Sequence, residues 1–104
     1  MDAPHLVLTT MGSEESAATL AKLLVEKRLA ACVNIVSSVR SIYRWQGDVC
    51  DDVELLLIIK TTRLEEVREA IVELHPYDLP ELVVLRPDQV DERYARWIAE
   101  SCAP

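Results

Sequence analysis

Two stretches of the chain alternate side chains with a period of two over an unusual length. CVNIVSSVRSIYRW (32–45) and VELLLIIKTT (53–62) predict two long strands joined by a turn around Gln46-Gly47-Asp48. In the second, Val53, Leu55, Leu57 and Ile59 share one face, and Glu54, Leu56, Ile58 and Lys60 share the other. Both faces are apolar at their centres, so this strand calls for cover on both sides, more than one small domain readily supplies. The pattern predicts a subunit interface. In the first strand, Ser37-Ser38 interrupts the apolar alternation and marks a bend or bulge.

The rest of the chain alternates strands and helices. His5–Thr10 is a short, mostly apolar strand candidate, broken by Met11-Gly12-Ser13. Ser13 caps a helix with Glu14 and Glu15 in its first turn; Ala17, Leu20, Ala21 and Leu24 recur at helical spacing, and Lys27 and Arg28 suit its C-terminal end. Thr62-Arg63-Leu64-Glu65 has capping-box spacing and opens a second helix marked by Leu64, Val67, Ile71 and Leu74, which His75-Pro76 ends. Tyr77-Asp78-Leu79-Pro80 is a rigid connector, Glu81–Leu85 a further strand, and Asp88 or Asp91 caps a last helix presenting Val90, Tyr94, Trp97 and Ile98. The order is βαββαβ plus a terminal helix over residues 1–104, a single α+β domain of the ferredoxin-like arrangement. Two helices cover one face of its antiparallel sheet. The other face stays open although it carries Leu56 and Ile58, and packing between sheets of neighbouring subunits resolves that conflict, with the last helix as another docking element. At about 25 cal/mol per Å2, burying two such side chains is worth a few kcal/mol per subunit.

Composition narrows the function. A formal charge of −7 leaves no basic surface for nucleic acid; it suits cation binding, and it suits solubility equally. No secretory signal opens the chain, and no stretch approaches the roughly 18 apolar residues of a membrane span. Cys32, Cys50 and Cys102 are odd in number and lack CxxC spacing, which argues against a zinc knuckle or a disulfide framework and for a reducing cytoplasm. With only Gly12 and Gly47, no glycine-rich phosphate cradle can be built, and nucleophile-elbow and HExxH signatures are absent.

Few residues remain to carry chemistry. His75, at the last turn of a helix and close in sequence to Tyr77 and Glu81, is either a metal ligand or a histidine bound to the last helix carbonyls. With Glu81 or Tyr77 it also has the makings of a general base, although no nucleophile or cofactor motif accompanies it. His5 reads as solvated and Cys32 as a buried, inert thiol, while Cys50 and Cys102 are candidates for exposure. Tyr43, Trp45, Glu54 and Lys60 could line one cleft; alternatively Glu54 and Lys60 lie at sheet edges and reach water. Asp48, Asp51 and Asp52 read as a solvated turn or as a place where calcium or another divalent ion is captured, without the loop spacing of a dedicated site.

LAACVNIV, SIYRWQGDV, ELLLIIKTT, LHPYDLPELVVL and YARWI follow one another at the spacing of CutA, the divalent-cation-tolerance proteins, and nearly the whole chain resembles that family. The resemblance implies a ferredoxin-like subunit in a homotrimer whose long hairpins pair around a three-fold axis. It also implies a cytoplasmic, non-enzymatic protein linked to tolerance of copper and other divalent metals. In fold and assembly the family resembles the PII signalling proteins, which implies as an alternative a small-molecule sensor using inter-subunit clefts lined by Tyr43, Trp45, Glu54, Lys60, Tyr77 and Glu81. The family's described copper ligands are a cysteine ending the first strand and a histidine pair before the PY. Here those positions hold Thr9 and Leu74, and His75 alone remains. One imidazole does not make a tight transition-metal site; three copies of His75, or His75 with a neighbour's carboxylates, would make a weaker one. No metal is required for folding.

Overall fold

A computed structural model describes residues 3–104. Seven elements follow one another: β1 (His5–Met11), α1 (Glu14–Glu26), β2 (Cys32–Trp45), β3 (Asp48–Thr61), α2 (Leu64–Leu74), β4 (Val83–Leu85) and α3 (Glu92–Ser101). The strands form one sheet in the order β2-β3-β1-β4, every neighbouring pair antiparallel. This is the split βαββαβ arrangement that the order of elements predicts.

One face of the sheet buries Val7 and Met11 of β1 and Leu55, Leu57 and Ile59 of β3 against Leu20 and Leu24 of α1 and Val67 and Ile71 of α2. Each side chain so buried contributes about 1.5–3 kcal/mol. On the other face α3 packs against β3, where the Lys60 ammonium donates to the Tyr94 hydroxyl at 3.3 Å. A second, smaller cluster joins Ile98 and Cys102 to Ala31.

The helix ends depart from the sequence reading in two places. The Ser13 hydroxyl accepts from the Ser16 N–H, as a cap should. Lys27 and Arg28, however, lie beyond α1. Arg28 adopts φ 61°, and its guanidinium donates to the carbonyls of Ala103 and Glu100, neutralising the C-terminal end of α3 and not that of its own helix. The capping box at Thr62–Glu65 does not form. Arg63 is the N-cap without a side-chain capping bond, and the Thr61 hydroxyl instead accepts from the Arg63 N–H at 2.7 Å while donating to the Leu29 carbonyl. Of the two aspartates, Asp91 caps α3, accepting from the N–H groups of Arg93 and Tyr94.

The long hairpin is longer than its hydrophobic pattern suggests. β3 begins at Asp48, because Trp45 pairs with Asp48 and the turn is the two residues Gln46 and Gly47, with φ 51° and 87°. Positive φ at both central positions fits the tight hairpin turns that follow the twist of the strands. The expected irregularity sits between Val36 and Val39, with Ser38 at φ 61°. β1 pairs with β3 only from Leu55 to Thr61, so the ribbon beyond projects from the sheet as two strands alone. Leu56 and Ile58 are half-buried. The uncovered apolar surface lies further out, at Ile42, Val49 and Val53, each roughly two-thirds exposed.

Candidate functional site

A notch of about 810 Å3 opens where the ribbon leaves the sheet, between the ribbon and the connector 77–81. His75 does not line it but bonds to two residues that do, Thr10 and Tyr77. The end of α2 brings this residue, 8% exposed, to the last residues of β1. Nδ1 accepts from the Tyr77 N–H at 3.1 Å, so Nε2 carries the proton and donates to the Thr10 carbonyl at 2.7 Å. His75 therefore ties the connector to β1 and spends both nitrogens doing so, where the sequence offered the last helix carbonyls as partners. The His75 and Tyr77 rings pack with centroids 4.8 Å apart.

Tyr77 carries the connection into the notch, its hydroxyl donating to Glu54 at 2.9 Å. Burial and that bond to a carboxylate push the phenol up to about 12. Gly12 makes room: a Cβ there would meet the Tyr77 hydroxyl at 3.1 Å. On the ribbon, the Tyr43 hydroxyl donates to Asp52 at 2.5 Å, and the carboxylate raises this phenol too to about 12. Arg40 holds Asp51 through two bonds of 2.9 and 2.6 Å, which raises the guanidinium and lowers the carboxyl from their ordinary ranges. Trp45 lines the outer wall.

The notch thus gathers Tyr43, Trp45, Glu54, Tyr77 and Glu81, and adds Arg40 and Asp78, which the sequence did not single out. Lys60 does not belong to it. Six residues along β3 from Glu54, its ammonium lies 5.6 Å from the Tyr94 ring centroid. The aspartates of the ribbon do not converge either: Asp51 and Asp52 point to opposite faces, one to Arg40 and one to Tyr43. His5 heads β1, its Nδ1 at 3.1 Å from the Ala3 carbonyl. Cys102 is buried at 2% exposure where the sequence allowed an exposed thiol, and Cys32 and Cys50 are half-buried.

The placement of the donors decides whether one chain can ligate a metal. Among the described residues no group of three or more histidine, cysteine or acidic side chains is placed to hold an ion. The Thr9 hydroxyl, at the family cysteine position, is fully buried with no hydrogen-bond partner among the described residues, and Leu74 is about half exposed. Within one chain the described residues do not fit a transition-metal site.

The sequence profile of the CutA1 divalent ion tolerance protein matches residues 5–101. The chain belongs to that family. The divalent-cation tolerance protein CutA of Thermus thermophilus is 51% identical over 99 residues, covering 93% of this chain and 96% of that one. The crystal structure of the divalent ion tolerance protein CutA1 from Ehrlichia chaffeensis superposes with a TM-score of 0.94 at 29% identity, over 100% of this chain and 99% of that one. That of the Thermus thermophilus divalent cation tolerance protein gives 0.90 at 48% identity, covering 96% and 99%. Some animal and plant relatives are longer, and the chain spans 54–65% of their length. The α+β fold, with its four-stranded antiparallel sheet and three helices, is that of the CutA1 structures, and the relatives' names describe tolerance and no catalysed reaction. No helix of the described residues is long and apolar enough to cross a membrane.

Proposed function

We propose that this protein serves divalent-cation tolerance as a homotrimer joined through its projecting hairpins, taking up copper or another divalent ion between copies with His75 among the ligands. The observation that carries the reading is the family match over nearly the whole chain, with relatives named for that tolerance. Support for assembly comes from the exposed Ile42, Val49 and Val53 on a ribbon that its own chain leaves uncovered. Ligation by His75 has a stated cost in this fold: the ring must release either the Tyr77 N–H or the Thr10 carbonyl. Metal uptake would therefore loosen the connector 77–81. Calorimetry with copper and zinc on the wild type and His75→Ala tests this. Equal binding by both proteins removes His75 from the account, and binding by neither removes the metal. Light scattering that finds a monomer removes the assembly.

A second reading is favoured by the notch itself, whose size suits a small molecule and whose walls combine aromatic faces with a few polar groups. In this reading the protein senses a small molecule at a cleft that further copies would complete, much as a PII-like module would. Ligand-dependent quenching of Trp45 is its assay. A general-base role for His75 has less support, since Nδ1, its free lone pair, is already used by the Tyr77 N–H.

A further inference from the structure

The chemistry of the notch selects among ligands, provided that the notch is the ligand cleft of the second reading, on which this inference rests. Three aromatic side chains, Tyr43, Trp45 and Tyr77, line it and each keeps more than a third of its surface exposed. Glu54, Asp78 and Glu81 bring three carboxylates to the same walls, against one guanidinium, Arg40. That guanidinium is already matched, two nitrogens to two oxygens, by Asp51.

An anion finds little here. Both tyrosine hydroxyls point their protons at Asp52 and Glu54, so these two donors are spent on the protein's own carboxylates, and the other lining hydroxyls, Thr10 and Ser41, carry no charge. The chain also lacks the glycines for a phosphate cradle. A small hard cation is also poorly served, because no three ligating side chains converge among the described residues. What remains is a lining that combines several carboxylates with aromatic faces. That environment suits a cation whose charge is dispersed and whose surface is apolar.

We propose that the notch binds an organic cation, an alkylated ammonium or similar amine with an apolar body, its charge facing Glu54 and Glu81 and its substituents resting on Tyr43, Trp45 and Tyr77. The site size admits a ligand well beyond a single ammonium group, so one face can carry the charge while another fills the outer wall at Trp45.

The test uses the full chain in whatever assembly it forms, in a Trp97→Phe background so that Trp45 is the sole indole reporter. Three probes of similar shape are titrated: choline, its uncharged carbon isostere tert-butylethanol, and the anion pivalate. Choline is expected to quench Trp45 saturably and to bind about tenfold tighter than the alcohol. Glu81→Gln and Glu54→Gln should each weaken choline several-fold and leave the alcohol unchanged, with circular dichroism confirming that both variants fold. If the alcohol binds as well as choline, or pivalate binds better, the notch remains a ligand site and the cation assignment fails. If none of the three perturbs Trp45, the ligand-cleft reading falls with it.

Discussion

Replacing His75 by alanine probes the feature on which the notch depends. The imidazole is buried, bridges α2 to β1, and satisfies the Thr10 carbonyl and the Tyr77 N–H at once. Truncation leaves two polar groups short of a partner, at about 1 kcal/mol each after water or the sheet compensates in part. It also removes a packed ring pair, worth about 1 kcal/mol more. The expected loss is about 3 kcal/mol, or about 12–24 °C in melting temperature for a domain of this size. Urea unfolding at one fixed protein concentration measures it, since subunit association would otherwise move the midpoint. Tyr77→Phe, which keeps the ring and the backbone N–H, should cost far less. The same measurement with a chelator discriminates cause: EDTA should leave the wild type unchanged. A loss below about 1 kcal/mol would refute the latch, and wild type weakened by EDTA to the level of His75→Ala would show that the histidine acts through a metal.

Three further outcomes are expected from the same geometry. Gly12→Ala should cost about 1 kcal/mol by pressing Tyr77 off Glu54, and the cost should shrink in a Tyr77→Phe background, as denaturant melts of the four proteins would show. Thr9→Val should stabilise by about 1–2 kcal/mol, because it removes a buried hydroxyl without a partner among the described residues; a lower unfolding midpoint would mean that the hydroxyl is satisfied after all. Tyr43 and Tyr77 have phenols raised from 10.0 to about 12. A group whose pKa is raised by folding lends stability in full below its unfolded value. That contribution should therefore be intact below pH 10 and lost as pH climbs towards 12. Absorbance titration of tyrosinate should show late steps that Tyr43→Phe and Tyr77→Phe each remove singly.

The projecting ribbon shows how far pattern reading reaches. Period-two alternation located both strands, and Ser37-Ser38 located the bulge, because a break in alternation is a local property. The pattern marks Gln46-Gly47-Asp48 as the turn, one residue more than the two that form it, because Asp48 already pairs with Trp45. With Asp48 counted in the strand, Tyr43 and Asp52 fall on one face and Arg40 and Asp51 on the other, so a two-residue turn at Gln46-Gly47 would have revealed both pairs. Gly12 carried a signal as well: one of two glycines in the chain, placed just after a strand, marks a close approach. Alternation puts Lys60 on the same face as Glu54, and sharing a face does not bring together residues six positions apart along an extended strand.

By itself the sequence determined the order of strands and helices, the core faces and the family, since each depends on short-range periodicity or on runs of residues read in line. Tertiary structure alone decided which groups meet. His75 could have capped its own helix, yet it reaches Thr10, far away in the chain, because β1 lies where α2 ends. Arg28 could have stabilised α1, yet it serves α3. Hydrogen bonds of this kind join residues separated by 65 to 75 positions, and no local pattern encodes them. They arise only once the sheet is assembled and each buried polar group takes the partner that packing has put within reach.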